Sequence, residues 1–200
     1  MKKTMAILLV IILMVLATTP CLAARVGIAV AISPELTEQV GSPYQEQLKR
    51  IYYDYLSRLY GPGNEIIPQA TAQAIVNRYM EREFGRTALN ALGELGTDYL
   101  VLGIIYDARV YKGAPNMFTD EYSCQAYIGL SLCVVTPDLA NSGEVVWAAS
   151  SNMAKRASSR SPIEPPLQEY FNEMVADWPQ KARLELKYHP TWRSALYPFL

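Results

Sequence analysis

Asp98-Tyr-Leu-Val-Leu-Gly-Ile-Ile-Tyr-Asp-Ala-Arg-Val-Tyr-Lys112 and, beyond a short loop, Tyr122-Ser-Cys-Gln-Ala-Tyr-Ile-Gly-Leu-Ser-Leu-Cys-Val-Val135 are two long extended segments. The first opens as a nearly continuous apolar run, as a strand buried on both faces does. It closes in alternation, with Asp107, Arg109 and Tyr111 on one side and Ala108 and Val110 on the other. The second alternates throughout: Cys124, Ala126, Ile128, Leu130, Leu132 and Val134 share a face, opposite Ser123, Gln125, Tyr127, Gly129, Ser131 and Cys133. Thr136 to Glu144 is rich in turn formers, and Val145 to Ser150 returns as a hairpin partner. A sheet with one apolar side follows from this pattern.

Working outward, Arg25 to Ile32 is a short first strand stopped by Ser33-Pro34. From Ser42 the period changes, and Tyr44, Leu48, Ile51, Tyr52, Tyr55 and Leu59 make a helical stripe that Gly61-Pro62-Gly63 ends. Glu65 to Pro68 is a brief extended piece. Ala72, Ile75, Val76, Tyr79 and Met80 mark a second helix, and Thr87 to Leu95 a third with its stop at Gly96. An amphipathic C-terminal helix runs from Leu167 to about Leu186, with a kink or break at Pro179. The expected class is α/β (α+β): one mixed sheet, order β-α-β-α-α-β-β-β-α, with helices mainly on one face.

The start of the chain carries an address. Lys2 and Lys3, an apolar run from Met5 to Ala17 and the stretch Thr18 to Ala24 read as a secretory signal peptide cleaved after Ala23 or Ala24. At about thirteen residues the run is short of the ~20 needed to span a membrane, and no transmembrane span is expected after processing. The expected division is 1–24 leader, 25–157 sheet domain, 158–166 Pro/Ser linker, and 167–200 C-terminal helix and apolar tail packed on the same domain. Periplasmic or secreted localisation follows. Cys21 raises an alternative, lipid attachment to a cysteine that becomes the new terminus, but Thr18-Thr19-Pro20 before it fits that route badly.

With 18 basic and 19 acidic residues the formal net charge is −1, and it becomes more negative once Lys2 and Lys3 leave. No nucleic-acid footprint is present. Cys124 and Cys133 would form an even pair in an exported protein, yet on one strand they lie about 30 Å apart and face opposite ways, against the ~7 Å a bridge allows. Two free thiols are expected.

The stretch Leu95-Gly96-Thr97-Asp98-Tyr99-Leu100-Val101-Leu102-Gly103, the alternating strand after it, and Ser142-Gly143-Glu144-Val145-Val146-Trp147-Ala148-Ala149-Ser150 together resemble a family of bacterial envelope domains. These are the periplasmic domains of the curli-secretion lipoprotein, the amino-terminal domain of the Tol-system β-propeller protein and their relatives. The resemblance covers roughly residues 26–151. It implies a periplasmic module that binds other proteins, and it transfers no catalytic residue. The connection Gly113 to Glu121 is too short for the long inserted hairpins from which the curli channel builds its pore.

Chemistry is sparse in the sequence. His189 is the only histidine, and there is neither a Gly-x-Ser-x-Gly elbow nor a His-Glu-x-x-His motif. Asp120-Glu121 and Glu81/Glu83 are carboxylate neighbours of the kind that hydrate surfaces. No catalytic residue, metal site or cofactor is expected; a small hydrolase or sugar-binding enzyme with a carboxylate site is the alternative, and a lipid-anchored accessory subunit a third reading. Three surfaces suit a protein partner. Met117 and Phe118 sit in a loop, where such side chains are either tucked under or presented, tucking being the commoner outcome. Arg109, Tyr111 and Tyr127, with Asp107 and Gln125, lie on an open sheet face. Trp192, with Tyr197 and Phe199, belongs to the tail, which packs on its own domain or exchanges with a second copy. The expected partners are envelope proteins, with a homo-oligomer also open.

Overall fold

Alternating small and branched residues let β1 (Arg25–Ile32) bury both its faces. In the computed structural model, which describes residues 23–33, 36, 43–80, 84–135 and 147–176, this strand lies inside a five-stranded sheet of order β2-β1-β3-β4-β5. The helix α1 (Pro43–Tyr60) leads to the two-residue β2 (Glu65–Ile66), which pairs parallel with β1. Helices α2 (Gln69–Met80) and α3 (Phe84–Leu95) then cross to β3 (Tyr99–Lys112), parallel to β1 on its other side. Two antiparallel pairings follow, β3 with β4 (Tyr122–Val135) and β4 with β5 (Trp147–Ser159), and α4 (Leu167–Ala176) ends the described chain. The mixed sheet and the element order are those read from the sequence.

Helix placement differs from expectation. Val26, Ile28 and Val30 of β1 face a core shared with Tyr52 and Leu56 of α1 and with Phe171 and Met174 of α4. Ala29 and Ala31 face a second core with Ala72 and Val76 of α2 and Ala91, Leu92 and Leu95 of α3. Each face thus carries two helices. The physical reason is that Leu100, Leu102, Ile104, Cys133 and Val135 make the second face apolar where β3 lies between β1 and β4. The face turns polar only further along the hairpin.

The row of α1 that is buried runs Gln45, Leu48, Tyr52, Leu56, Tyr60, with Tyr44, Ile51, Tyr55 and Leu59 flanking it. The stripe is therefore turned by one residue from that read in the sequence. Phe171 of α4 is fully buried between Tyr52 and Tyr55, at ring-centroid distances of 5.6 and 5.4 Å. Opposite Tyr52, β3 carries Gly103; a Cβ there would stand 2.8 Å from the Tyr52 ring and 3.0 Å from Leu56. The missing side chain is what lets α1 lie against the sheet. The Tyr52 hydroxyl passes over and donates to the Ser131 carbonyl at 2.7 Å.

Gly96 ends α3 with φ 59°, a left-handed conformation glycine adopts without strain. Asp98 then latches onto β1: its carboxylate accepts from the Arg25 backbone N–H at 2.8 Å, while the Arg25 guanidinium donates to the Gly96 carbonyl at 3.0 Å. The motif Gly96-Thr97-Asp98-Tyr99 thus stops a helix and docks a strand. Cys124 and Cys133 are both buried thiols outside any disulfide, as expected.

β5 continues well past Ser150 and ends two residues inside the stretch read as a linker. Ser150 to Ser159 lacks the β-branched residues that advertise a strand, and it is held by its ladder to β4, from Ser131↔Ser150 to Tyr122↔Ser159. Lys155 reaches from it to Glu173 of α4 at 2.5 Å. Among the described residues no helix is long and apolar enough to cross a membrane. The leader, the continuation of the last helix toward Leu186, and the tail lie outside the described residues.

Candidate functional site

Past Ile105 the β3–β4 hairpin extends beyond the cover of α2 and α3. A bulge sits here: Ile105 pairs with Leu130 and Asp107 with Gly129, so Tyr106 is the extra residue of the bulged strand. The bulge re-phases the strand. Before it, the odd residues Val101 and Ile105 face the α1/α4 core, whereas after it the even residues Ala108 and Val110 do. Asp107, Arg109 and Tyr111 are thereby turned to the open face. The Tyr106 ring joins them by lying over Gly129, where a Cβ would stand 2.4 Å from it.

Arg109 pairs with Asp107 through two bonds, its Nε donating at 2.7 Å and its Nη2 at 2.6 Å. This raises the Arg109 pKa, keeping the guanidinium charged. Its carbon centre stands 5.1 Å from the centroid of Tyr127, whose ring also meets Tyr111 edge-on at 5.8 Å. Gln125 donates to the Tyr127 hydroxyl at 2.5 Å. Arg109, Tyr111 and Tyr127, singled out from the sequence, thus form one cluster. Tyr106 was missed there, because strict alternation would turn it away from Arg109; its signal was two non-aliphatic residues in succession, Tyr106-Asp107, at the end of an apolar run. Burial and the Asp107 charge raise the Tyr106 pKa.

The loop at the hairpin's far end is ordered by Asn116. Its side-chain oxygen accepts from the Phe118 N–H at 2.9 Å, its carbonyl from Asp120 at 2.8 Å and Thr119 at 3.2 Å, and its N–H donates to Glu121 at 2.9 Å. Met117 and Phe118 are not tucked beneath this turn: they are 90 % and 95 % exposed. The loop is short and tightly bonded to itself, which leaves no space under it. Trp192 lies outside the described residues.

Just before this loop, where β3 ends, the Glu164 carboxylate accepts from both Lys112 Nζ and the Tyr44 hydroxyl, and Lys112 lies 5.4 Å from the Tyr44 ring centroid. Lys112 first, then Tyr44, holds the Glu164 carboxyl below the usual carboxylate range. A depressed acid stabilises the fold at pH above its unfolded value and loses that effect as pH falls through its folded value. Glu164→Gln at neutral pH, or acidification of the unaltered protein below the carboxylate range, is therefore expected to speed amide exchange severalfold in Ser161 and Ile163. The melting temperature should change little, because the pair is exposed.

Glu94 is likewise held low, by the Tyr79 hydroxyl and then by Arg78. These two carboxyls are shifted toward the ionised form, the wrong direction for a general acid. Among the described residues no group of three or more His, Cys, Asp or Glu is gathered as a metal site.

No known family matches the chain, and no curated protein does. Among solved structures, it is similar to the PelC dodecamer from Paraburkholderia phytofirmans, at 18% identity over 82% of this chain and 91% of that one, with a TM-score of 0.40. Lipoprotein GNA1162 from Neisseria meningitidis is 10% identical over 77% of this chain and 96% of its own, with a TM-score of 0.42. The hypothetical protein CT253 from Chlamydia trachomatis is 14% identical over 82% and 96%, with a TM-score of 0.40. At these values the likeness assigns neither family nor function.

Proposed function

We propose that this protein is an exported, non-catalytic module of the cell envelope that works by binding another protein through the far end of the β3–β4 hairpin. In this reading residues 1–24 are a leader that is removed, and residues 167–200 complete the same domain as the sheet. The observation that carries the reading is the display of Met117 and Phe118, almost fully exposed on a turn that is itself hydrogen-bonded. A protein that gained nothing from those side chains would hold them in water at the expense of their burial. The neighbouring Arg109, Tyr111 and Tyr127 are of the residue types that anchor interfaces.

Burying a Met and a Phe contributes about 1.5–3 kcal/mol each. Immobilised protein carrying both Met117→Ser and Phe118→Ser is therefore expected to capture its partner from periplasmic extract about a hundredfold less well, with an unchanged melting temperature. Equal capture of every partner by the variant and the unaltered protein would remove the hairpin tip from the reading. Intact mass of the exported protein tests the leader in the same preparation.

A further inference from the structure

Resting on that reading of the hairpin end, we infer that the partner is a second copy of this chain, the tip of one molecule seating on the open hairpin face of the next. The two surfaces are chemically matched. The tip offers a thioether, a phenyl ring and the carboxylate of Asp120, exposed on a residue at φ 53° and without an ion pair among the described residues. The face offers the rings of Tyr106, Tyr111 and Tyr127. Beside them, Arg156 of β5 is exposed, pairs in register with Gln125 and has no ion pair among the described residues. Methionine sulfur and phenyl edges are attracted to tyrosine rings, and a carboxylate to a guanidinium. Arg109 is already neutralised by Asp107, which leaves Arg156 as the charge of the face available to the Asp120 carboxylate at the tip.

One molecule cannot make this contact with itself. Tyr127 lies about 17 Å down the strand from Tyr122 at ~3.4 Å per residue, and the loop continues outward from there. Folding it back would break the Asn116 bonds. The contact is therefore between molecules; made in one direction it is head-to-tail and propagates to a ring or a filament, and made reciprocally by two antiparallel hairpins it closes a two-fold dimer. Two side chains and one ion pair bury less than the ~1,200 Å² of an ordinary stable interface, so a single contact is weak and association is expected to depend on concentration.

Sedimentation velocity of the purified mature protein tests this. The unaltered chain is expected to gain average mass between about 10 μM and 1 mM, the range a small interface commands. Phe118→Ser, with a dead tip, and Arg156→Glu, with a dead face, should each associate at least tenfold less well; both sites are exposed, so both variants should keep the unaltered melting curve. Mixed one to one, the two are expected to form a dimer and nothing larger, since the Arg156→Glu tip can seat on the Phe118→Ser face and the chain then stops. An unaltered protein that stays monomeric overturns the inference, as does a mixture without dimer or an Arg156→Glu variant that associates normally. Sedimentation with neutral phospholipid vesicles that Phe118→Ser abolishes, without self-association, would assign the tip to lipid instead. Capture from extract that depends on Met117 and Phe118, by a protein that stays monomeric, would leave the binding reading standing and this inference overturned.

Discussion

Gly103→Val is expected to destabilise the fold by about 3 kcal/mol or more, a large fraction of the ~5–15 kcal/mol that holds a domain together. The position is central in β3, and its Cβ would meet the Tyr52 ring at 2.8 Å and Leu56 at 3.0 Å. Neither neighbour can move aside cheaply. Tyr52 and Leu56 are fully buried, and Tyr52 is fixed at one end by its bond to the Ser131 carbonyl and on its flank by Phe171. The helix must therefore lift off the sheet, which separates the core of the α1/α4 face. Urea unfolding followed by far-ultraviolet circular dichroism measures the loss as a lower midpoint. A midpoint within experimental error of the unaltered protein would show that α1 does not approach the sheet this closely.

Phe171→Ala is expected to cost about 3–5 kcal/mol, the range for a large aromatic removed from a closed core. Its ring is fully buried against Tyr52 and Tyr55, and it is the residue by which α4 is seated on α1. The outcome differs from that of Gly103→Val in where it shows. Removing Phe171 leaves a cavity under α4 with the β1–β3–β4 ladder intact, so amide exchange should accelerate first in residues 167–176 and in β5 beside them. Loss of protection in β1 before α4 would contradict this order.

The sequence was readable where punctuation and periodicity coincide. β1 and β4 have the observed boundaries because an apolar or alternating run ends at Ser33-Pro34 and at Thr136-Pro137. β5 was read only in its apolar opening, since Met153, Ala154 and Ala157 are its few apolar residues beyond Ser151 and the rest is made a strand by pairing with β4. The second core was missed for a related reason. Gln125, Tyr127 and Ser131 make one face of β4 look polar throughout, although Cys133 and Val135 at its far end are covered by helices. At the candidate site, the side on which Arg109 and Tyr111 stand was legible from alternation, whereas the presentation of Met117 and Phe118 was not. Whether a loop hides such side chains depends on its internal hydrogen bonds, and those of Asn116 belong to the folded turn.

The bulge residue Tyr106 acts on its strand as an added letter acts on a reading frame. Upstream of it, side chains are distributed for a body wrapped by helices on both sides; downstream, the same backbone spells out one sealed side and one side offered to the surroundings. Without that single offset, Asp107 and Arg109 would point into the greasy interior and Ala108 and Val110 would stand in water. One residue thus lets a strand built for the centre of a domain end as its outward-facing limb.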